Sequence, residues 1–540
     1  MTAGRREGAR ARAPVRLLTA DYLWPLALLA CLFAFVSTHP IRPHDFWWHL
    51  KLGQQIVQTH QIPQMDTFSY TMAGQPYPSY NVYWLADVAL YRIYALGGPA
   101  LSVFAHTLLI TGTYLLLFLL CRRLACGDVR PREQDGPRGR ACPHARIAAL
   151  ALFAALALGF ENWNLRPQAV TLLLFTLTLW IVYVFRTQAR TARWLLLGCP
   201  VLMLVWVNCH GSFPLQLVIL GLWLVETVWE RWRIGPRSRR EVWVPALALV
   251  LSAAAMLLNP QGLGILTYLR QMGANPVVRN LPEWAPASLA TKDGIALFVL
   301  APLALLLPLW AGRARSGLFH WLMLLAFALL ALRTGRAIIW FGLVFAPVFA
   351  ELLPRVLPPS RAGGESWEGL PAPTVAAGSR SHRSERTIIA LLMLSFISLM
   401  VVSLPWLKAH LPMPPPKAGL ISQETPVAAT DFLLRHRLPP QLFHYAAYGS
   451  YLIWAATPRY HVFVDPRIEL YPASLWETYH ALSRGAPGWQ HTLDTYGVNT
   501  LLLSRQDQPG LIAAVQVSPD WQQVYADPIA VIFVRQGKQP

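Results

Sequence analysis

Long apolar stretches alternate with short basic loops along the first 406 residues of the chain. Eleven stretches approach or reach the length needed to cross a bilayer as helices. They lie at roughly 22–38, 100–120, 147–160, 168–185, 194–208, 213–229, 242–258, 293–311, 317–332, 337–353 and 387–406. The third and fifth are short and are expected to extend into their flanks. No small-residue cleavage site follows the first, so a retained anchor is expected rather than a removed signal peptide. After residue 407 the pattern changes to short units of two periods. Strands are predicted at 441–445, 460–464, 499–503, 521–525 and 529–534, and helices at 427–437, 448–456, 473–484 and 488–496. Strands alternating with helices and ending in a hairpin predict a small layered α/β domain.

Composition agrees with the apolar pattern. Of 540 residues, 54% are hydrophobic and 14% charged, which fits an α-helical polytopic membrane protein rather than a soluble one. The formal charge of +19 does not indicate nucleic-acid binding, because the positive residues sit in the loops between spans. The N-terminal tail (1–21) and the loops 121–146, 186–193, 230–241, 312–316 and 354–386 hold about 27 Lys and Arg, against about 9 in the opposite short loops. This bias predicts a multi-pass protein of the cytoplasmic membrane, with its N-terminus inside. Residues 22–406 then form the transmembrane domain, with a long first outer loop at 39–99. The Pro-, Gly- and Ser-rich segment 354–386 reads as a flexible cytoplasmic linker, and 407–540 as an extracytoplasmic domain. Three of the six cysteines, Cys121, Cys126 and Cys142, share a cytoplasmic loop with His144, but their spacing is not a usual zinc pattern.

The first outer loop carries the densest candidate chemistry. It opens with Arg42-Pro43-His44-Asp45-Phe46-Trp47-Trp48-His49 and has helical patterns at 44–58 and 84–96. Charge held at a bilayer edge is costly and points to function. Asp45 and His49 are four residues apart and share a helix face. They could ligate a divalent cation such as Mg or Mn, or Asp45 could act as a general base on a hydroxyl. The structural alternative is a helix cap beside an interfacial His. Asp87, on the second helix, is a further carboxylate that could face the same space. Asp66, ahead of Thr67-Phe68-Ser69, reads as a turn residue or a site acid.

Other polar groups collect at the same ends of the spans. They are Arg166, Asn208 and His210, Asn259-Pro260, Glu283-Trp284, and Arg333 with Arg336. Arginine is disfavoured in short outer loops, so Arg166, Arg333 and Arg336 need a reason. A bound phosphate supplies one, because the planar guanidinium donates two parallel hydrogen bonds. Headgroup contact or a salt bridge to a structural acid is the alternative. His210 could equally be a satisfied helix-end histidine. The C-terminal domain has neither a glycine-rich phosphate loop nor a nucleophile elbow, so catalysis is expected elsewhere.

In order along the chain stand Asp45 to Leu50 (Asp-x-Trp-Trp-His-Leu), Ile62 to Ser69, Arg166-Pro167-Gln168, Trp206 to Gly211 and Asn259 to Gly262. Gly449 to Trp454 and Val462 to Arg467 follow in the C-terminal domain. With these segments and the span pattern, the chain resembles the GT-C class of integral-membrane glycosyltransferases, and within it a group of bacterial membrane proteins. The resemblance implies a polyprenyl-phosphate-linked sugar donor and a glycan, lipid or protein acceptor outside the membrane. It places Asp45 as base or metal ligand, and Arg333 and Arg336 against the leaving phosphate. Asp45 lacks the adjacent acid often found in the class. Tyr445 to Gly449 resembles an oligosaccharyltransferase motif, but Ala447 stands where that motif has Asp. Two other readings remain. A transporter or flippase of an anionic or lipid-linked solute would carry charge deep within its spans. A non-catalytic envelope scaffold would use the first-loop acids structurally.

Overall fold

The computed structural model describes residues 22–126, 145–187, 192–235, 239–279, 281, 284–312, 317–357, 380–410 and 412–537. The basic tail, most of the linker, Cys142, His144 and Glu283 lie outside these. Helix α1 (Leu23–Thr38) leads into α2 (Phe46–Thr59) and α3 (Tyr80–Cys126). The second surface helix and the second span therefore form one long element, broken where Gly97 and Gly98 leave helical geometry ahead of Pro99. The series continues with α4 (Ala145–Gly159), α5 (Gln168–Thr187), α6 (Ala192–Val207), α7 (Pro214–Ile234) and α8 (Arg239–Met256). After the short α9 (Gly264–Ala274) and α10 (Pro276–Arg279) come α11 (Lys292–Ala311), α12 (Leu318–Arg333), α13 (Ile338–Val356) and α14 (Arg380–Val402).

Each of the eleven apolar stretches thus forms a helix. Among the described residues, five helical segments are long and apolar enough to cross a membrane: Tyr80–Cys126, Ala145–Asn162, Gln168–Arg186, Lys292–Ala311 and Gly335–Val356. Five more are apolar but shorter. The chain is a multi-pass membrane protein. Helix α13 is its centre, with Ile338 to Val348 buried on every side, as a helix apolar all round must be.

The C-terminal region contains α15 (Pro415–Ala418), α16 (Val427–Arg435), β1 (Leu442–His444), α17 (Ala446–Ala456), α18 (Ala473–Ser483) and α19 (Trp489–Thr495). It ends with β2 (Thr500–Ser504), α20 (Pro509–Gln516), β3 (Trp521–Ala526) and β4 (Ala530–Arg535). The sheet order is β1-β2-β4-β3, with β1 parallel to β2 and the other pairings antiparallel. The apolar residues of β2, and those of β4 apart from the half-buried Val534, are buried, as expected of strands covered by helices. The predicted strand at 460–464 is instead an extended segment that bridges the first loop, pairing Ser69 with Val462.

This region does not stand apart from the rest of the chain. Trp48, Leu52, Phe68, Tyr77 and Tyr80 of the first loop share one hydrophobic core with Leu452, Phe463, Tyr471 and the sheet. A buried polar knot closes the same contact. Arg467, wholly buried, bonds Asp465 through two guanidinium nitrogens (2.9 and 2.6 Å) and reaches Asp66 and Tyr80 at 2.5 Å each. Asp66 also accepts from the backbone of Phe68 and Ser69. It is therefore both a turn residue and the partner of an arginine 401 positions away, not a cavity-lining acid.

Candidate functional site

The bundle gathers its loop polar groups at one end. Asp45 sits at the N-cap position of α2, but its side chain caps no backbone N–H. Its carboxylate instead faces Arg166, with Arg166 Nε 3.0 Å from Asp45 Oδ2 and both side chains about one-quarter exposed (22% and 25%). Burial would raise the pKa of Asp45. Arg166, reinforced by His49, His44 and Arg336, outweighs burial and holds it below the usual carboxylate range. Asp45 is therefore an anion at neutral pH. Arg166 stands in the turn between α4 and α5. That turn is fixed by His106, which donates to the Trp163 carbonyl at 3.0 Å, and by Trp163, which donates to the Tyr114 hydroxyl at 3.2 Å.

Arg336 lies in a tight turn between α12 and α13. The turn is tied to the preceding loop by Gly335 N–H to Ala285 O, 2.8 Å. Its guanidinium donates to Gln168 Oε1 at 3.0 Å and lies 5.8 Å over the Trp284 ring. Arg166 and Arg336 line one cavity of about 250 Å³, together with Asn162, Asn164, Gln168 and Asp293. A smaller pocket of about 40 Å³ opens on the Asp45 side and shares Asn164 and Arg166 with it. Arg333 is exposed and lines neither space, so the structure brings together two of the three arginines.

His49 Nδ1 is 2.7 Å from Asp87 Oδ1, with both side chains buried. His49 stacks on Trp48 (3.5 Å between ring centres) and meets the edge of Tyr83 (5.2 Å), and Tyr83 in turn contacts His210 (5.7 Å). The Ser212 N–H donates to His210 Nδ1 at 3.1 Å. Burial, and then Arg336, His49 and Arg166, hold the His210 pKa well below its usual value. His210 is thus neutral, carries its proton on Nε2 and can only donate there. Asn208 is fully occupied as a brace. It accepts from Trp84 Nε1 (2.7 Å) and donates to Leu204 and Leu258 carbonyls. Asn259 adds bonds to the Asn81 and Val207 carbonyls.

The arrangement does not suit a Mg or Mn ion at Asp45 and His49. These cations take several oxygen ligands, whereas Asp45 faces a guanidinium and His49 Nδ1 faces Asp87. A second cation beside Arg166 and Arg336 would meet their repulsion. Among the described residues, no three His, Cys, Asp or Glu side chains converge on one point. Cys126 is disulfide-bonded and Cys121 is buried as a free thiol, so these two do not supply a pair of thiolates. Gln168 and Asp293 also line the arginine cavity, and neither stands out in the sequence by residue type alone. The signal for Asp293 was available: an acid at the first turn of an apolar helix.

Comparison with solved structures relates this architecture to known proteins. The oligosaccharyltransferase of Archaeoglobus fulgidus, tethered to an acceptor peptide containing the NVT sequon, aligns with 96% of the chain and 74% of its own, at 11% identity and TM-score 0.50. The arabinofuranosyltransferase AftD from Mycobacteria aligns with 96% of the chain and 42% of its own, at 14% identity and TM-score 0.53. The chain has the GT-C fold. ArnT from Cupriavidus metallidurans, bound to undecaprenyl phosphate, also matches, over 95% of the chain and 98% of its own, at 15% identity and TM-score 0.47. No protein-family model and no curated protein sequence matches. In this GT-C chain the first-loop helices α2 and α3 carry Asp45, His49 and Asp87, and the turns between spans carry the arginines.

Proposed function

We propose that this GT-C protein is a membrane glycosyltransferase that moves a sugar from a polyprenyl-phosphate donor to a hydroxyl acceptor on the outer face of the cytoplasmic membrane. The observation that carries the reading is the cavity shared by Arg166 and Arg336, with the Asp45 carboxylate on the other side of Arg166. The donor phosphate occupies the arginine cavity. The acceptor hydroxyl enters from the Asp45 side and attacks the anomeric carbon as the bond to the phosphate oxygen breaks. Negative charge grows on that phosphate in the transition state, and two fixed guanidiniums stabilise it most at that moment. Asp45, ionised throughout, accepts the hydrogen bond of the incoming hydroxyl and orients it. The sidedness rests on the loop charge bias, which puts the cavity, the first loop and residues 407–540 outside.

Membranes carrying the protein, with the cell's own donor and acceptor, should form a glycan product that is absent from a deletion strain and visible by mass spectrometry. Asp45→Asn keeps the shape and removes the charge, and is expected to lower turnover by about 10²–10³-fold. Turnover at the wild-type rate would remove Asp45 from the reaction. Arg336→Ala should raise the donor KM, and an unchanged KM would sink the phosphate assignment.

One observation favours transport. Charge does lie inside the far end of the bundle: Arg186 pairs with Glu226 (3.2 Å), and His320 with Glu351 (3.0 Å). However, Glu226 also accepts the Phe319 N–H at 2.9 Å, and Glu351 takes Arg355 at 2.8 Å. These groups tie α5, α7, α12 and α13 together and line none of the described cavities. Solute uptake by proteoliposomes without product formation would reverse the choice.

A further inference from the structure

Asp45 and His49 lie one turn apart on α2, yet their surroundings divide the work between them. Asp45 is neutralised by Arg166, which makes its carboxylate a weak base. His49 has the opposite setting. Its Nδ1 is held by Asp87 at 2.7 Å, and its ring is clamped between Trp48 and Tyr83. The clamp is fixed by packing. Helix α2 approaches α3 so closely at Gly53 that an added Cβ would stand 2.1 Å from the Asp87 carbonyl oxygen. The first turn of α2 is also pinned from the C-terminal region, where Ser450 Oγ accepts the Trp48 N–H at 3.0 Å. Among the described residues, His49 Nε2 has no hydrogen-bond partner, and Asp87 Oδ2 is buried without one.

We propose that His49, oriented by Asp87, is the general base that takes the acceptor's proton. The inference rests on the transferase reading and adds the destination of the proton. Nδ1–H donates to the Asp87 carboxylate, which leaves the Nε2 lone pair free. As the acceptor oxygen bonds to the anomeric carbon, its proton passes to Nε2, and the electron pair of the breaking bond leaves on the lipid phosphate. The imidazolium is stabilised by Asp87 and returns its proton to water after product release. His49 lines neither cavity, so the hydroxyl is held by Asp45, one turn away on α2, when His49 removes its proton.

The charged and titratable groups near His49 and Asp87 include Tyr83 from α3, His210 and Cys209 from the α6–α7 turn, and Asp45 on its own helix, with Arg166 and Arg336 beyond. Burial raises the Asp87 pKa, and the neighbouring His49 offsets only part of that rise. Asp87 is thereby the better partner for an imidazolium, because little water competes for its carboxylate.

The test uses membranes bearing the protein and the cell's own donor and acceptor, with product followed by mass spectrometry across pH 5–9. Wild type should gain activity with pH along a single limb. His49→Gln can still donate to Asp87. It should lose that limb and about 10²–10⁴-fold in turnover, with the donor KM unchanged. Asp87→Asn should keep the donor KM and lower turnover. Asp45→Asn should lose activity evenly and retain the limb. If His49→Gln keeps the wild-type limb and rate, the base assignment is overturned while the transferase reading stands. If wild-type membranes form no product missing from the deletion strain, the transferase reading itself fails.

Discussion

Gly53 shows how much one position can decide. It lies one turn beyond His49, with the Asp87 backbone where a side chain would go. Gly53→Ala must push α2 away from α3, and overpacking of this kind costs about 1–3 kcal/mol. The expected result is a lower melting temperature in detergent together with a loss of turnover. Gly112, in the span half of α3, has nothing within 4 Å of an added Cβ, so Gly112→Ala should be neutral or slightly stabilising. Equal melting shifts in the two variants would contradict a steric role for Gly53. At this scale the sequence was a fair guide to which residues matter and a poor guide to their partners. Asp45, His49, Asp87, Arg166 and Arg336 stand out by residue type and by position at span ends. That Asp45 pairs with Arg166, and His49 with Asp87, depends on which helix faces meet, and a chain read in one dimension does not carry that.

Among the elements, the first loop and the C-terminal region are joined by a shared core and a buried ion cluster. Removing the cation from a buried ion pair leaves uncompensated charge and typically costs about 3–5 kcal/mol. Arg467→Met strands both Asp66 and Asp465, and should unfold this contact first, seen as early proteolysis within 39–99. The knot also has a pH signature. Burial raises the Asp66 pKa, but Arg467 and the Ser69 hydroxyl and N–H more than reverse this and hold it below its ordinary value. Its stabilising contribution is therefore complete above the unfolded carboxylate value of about 4. It disappears as pH falls through the lower folded value. Acid melting should be steeper in wild type than in Asp66→Asn, and parallel curves would remove the linkage. Sequence periodicity could find most of these elements because α16 to α19 and the terminal hairpin are local patterns. It misassigned 460–464 because Val462 pairs with the backbone of Phe68 and Tyr70, hundreds of residues earlier. It missed α20 because that helix opens with Pro509-Gly510, which reads as a turn. Proline is well suited to a first helical turn.

For the whole molecule, the segregation of chemistry to one end and bracing ion pairs to the other follows from how the spans are threaded. Loops between successive spans alternate ends, so Arg166, His210, Asp293 and Arg336 meet although they are far apart in sequence. The bundle end carrying them is roofed by the first loop, which is in turn held by the C-terminal sheet and helices. A chain stopped at residue 406 would leave Trp48, Phe68, Tyr77 and Tyr80 without their covering core. It should run as aggregated material on size exclusion in detergent, and a monodisperse, thermally stable truncated protein would refute that dependence. The Arg467 contact with Asp66 also sets an order in time. At a synthesis rate of about 5–20 residues per second, the loop carrying Asp66 leaves the ribosome roughly 20–80 seconds before Arg467 does. Throughout that interval α2 lacks its final support. The protein should therefore remain inactive while it is being made, and gain activity only when the last part of the chain docks. On the proposed transferase reading, newborn copies draw on no donor until that docking occurs.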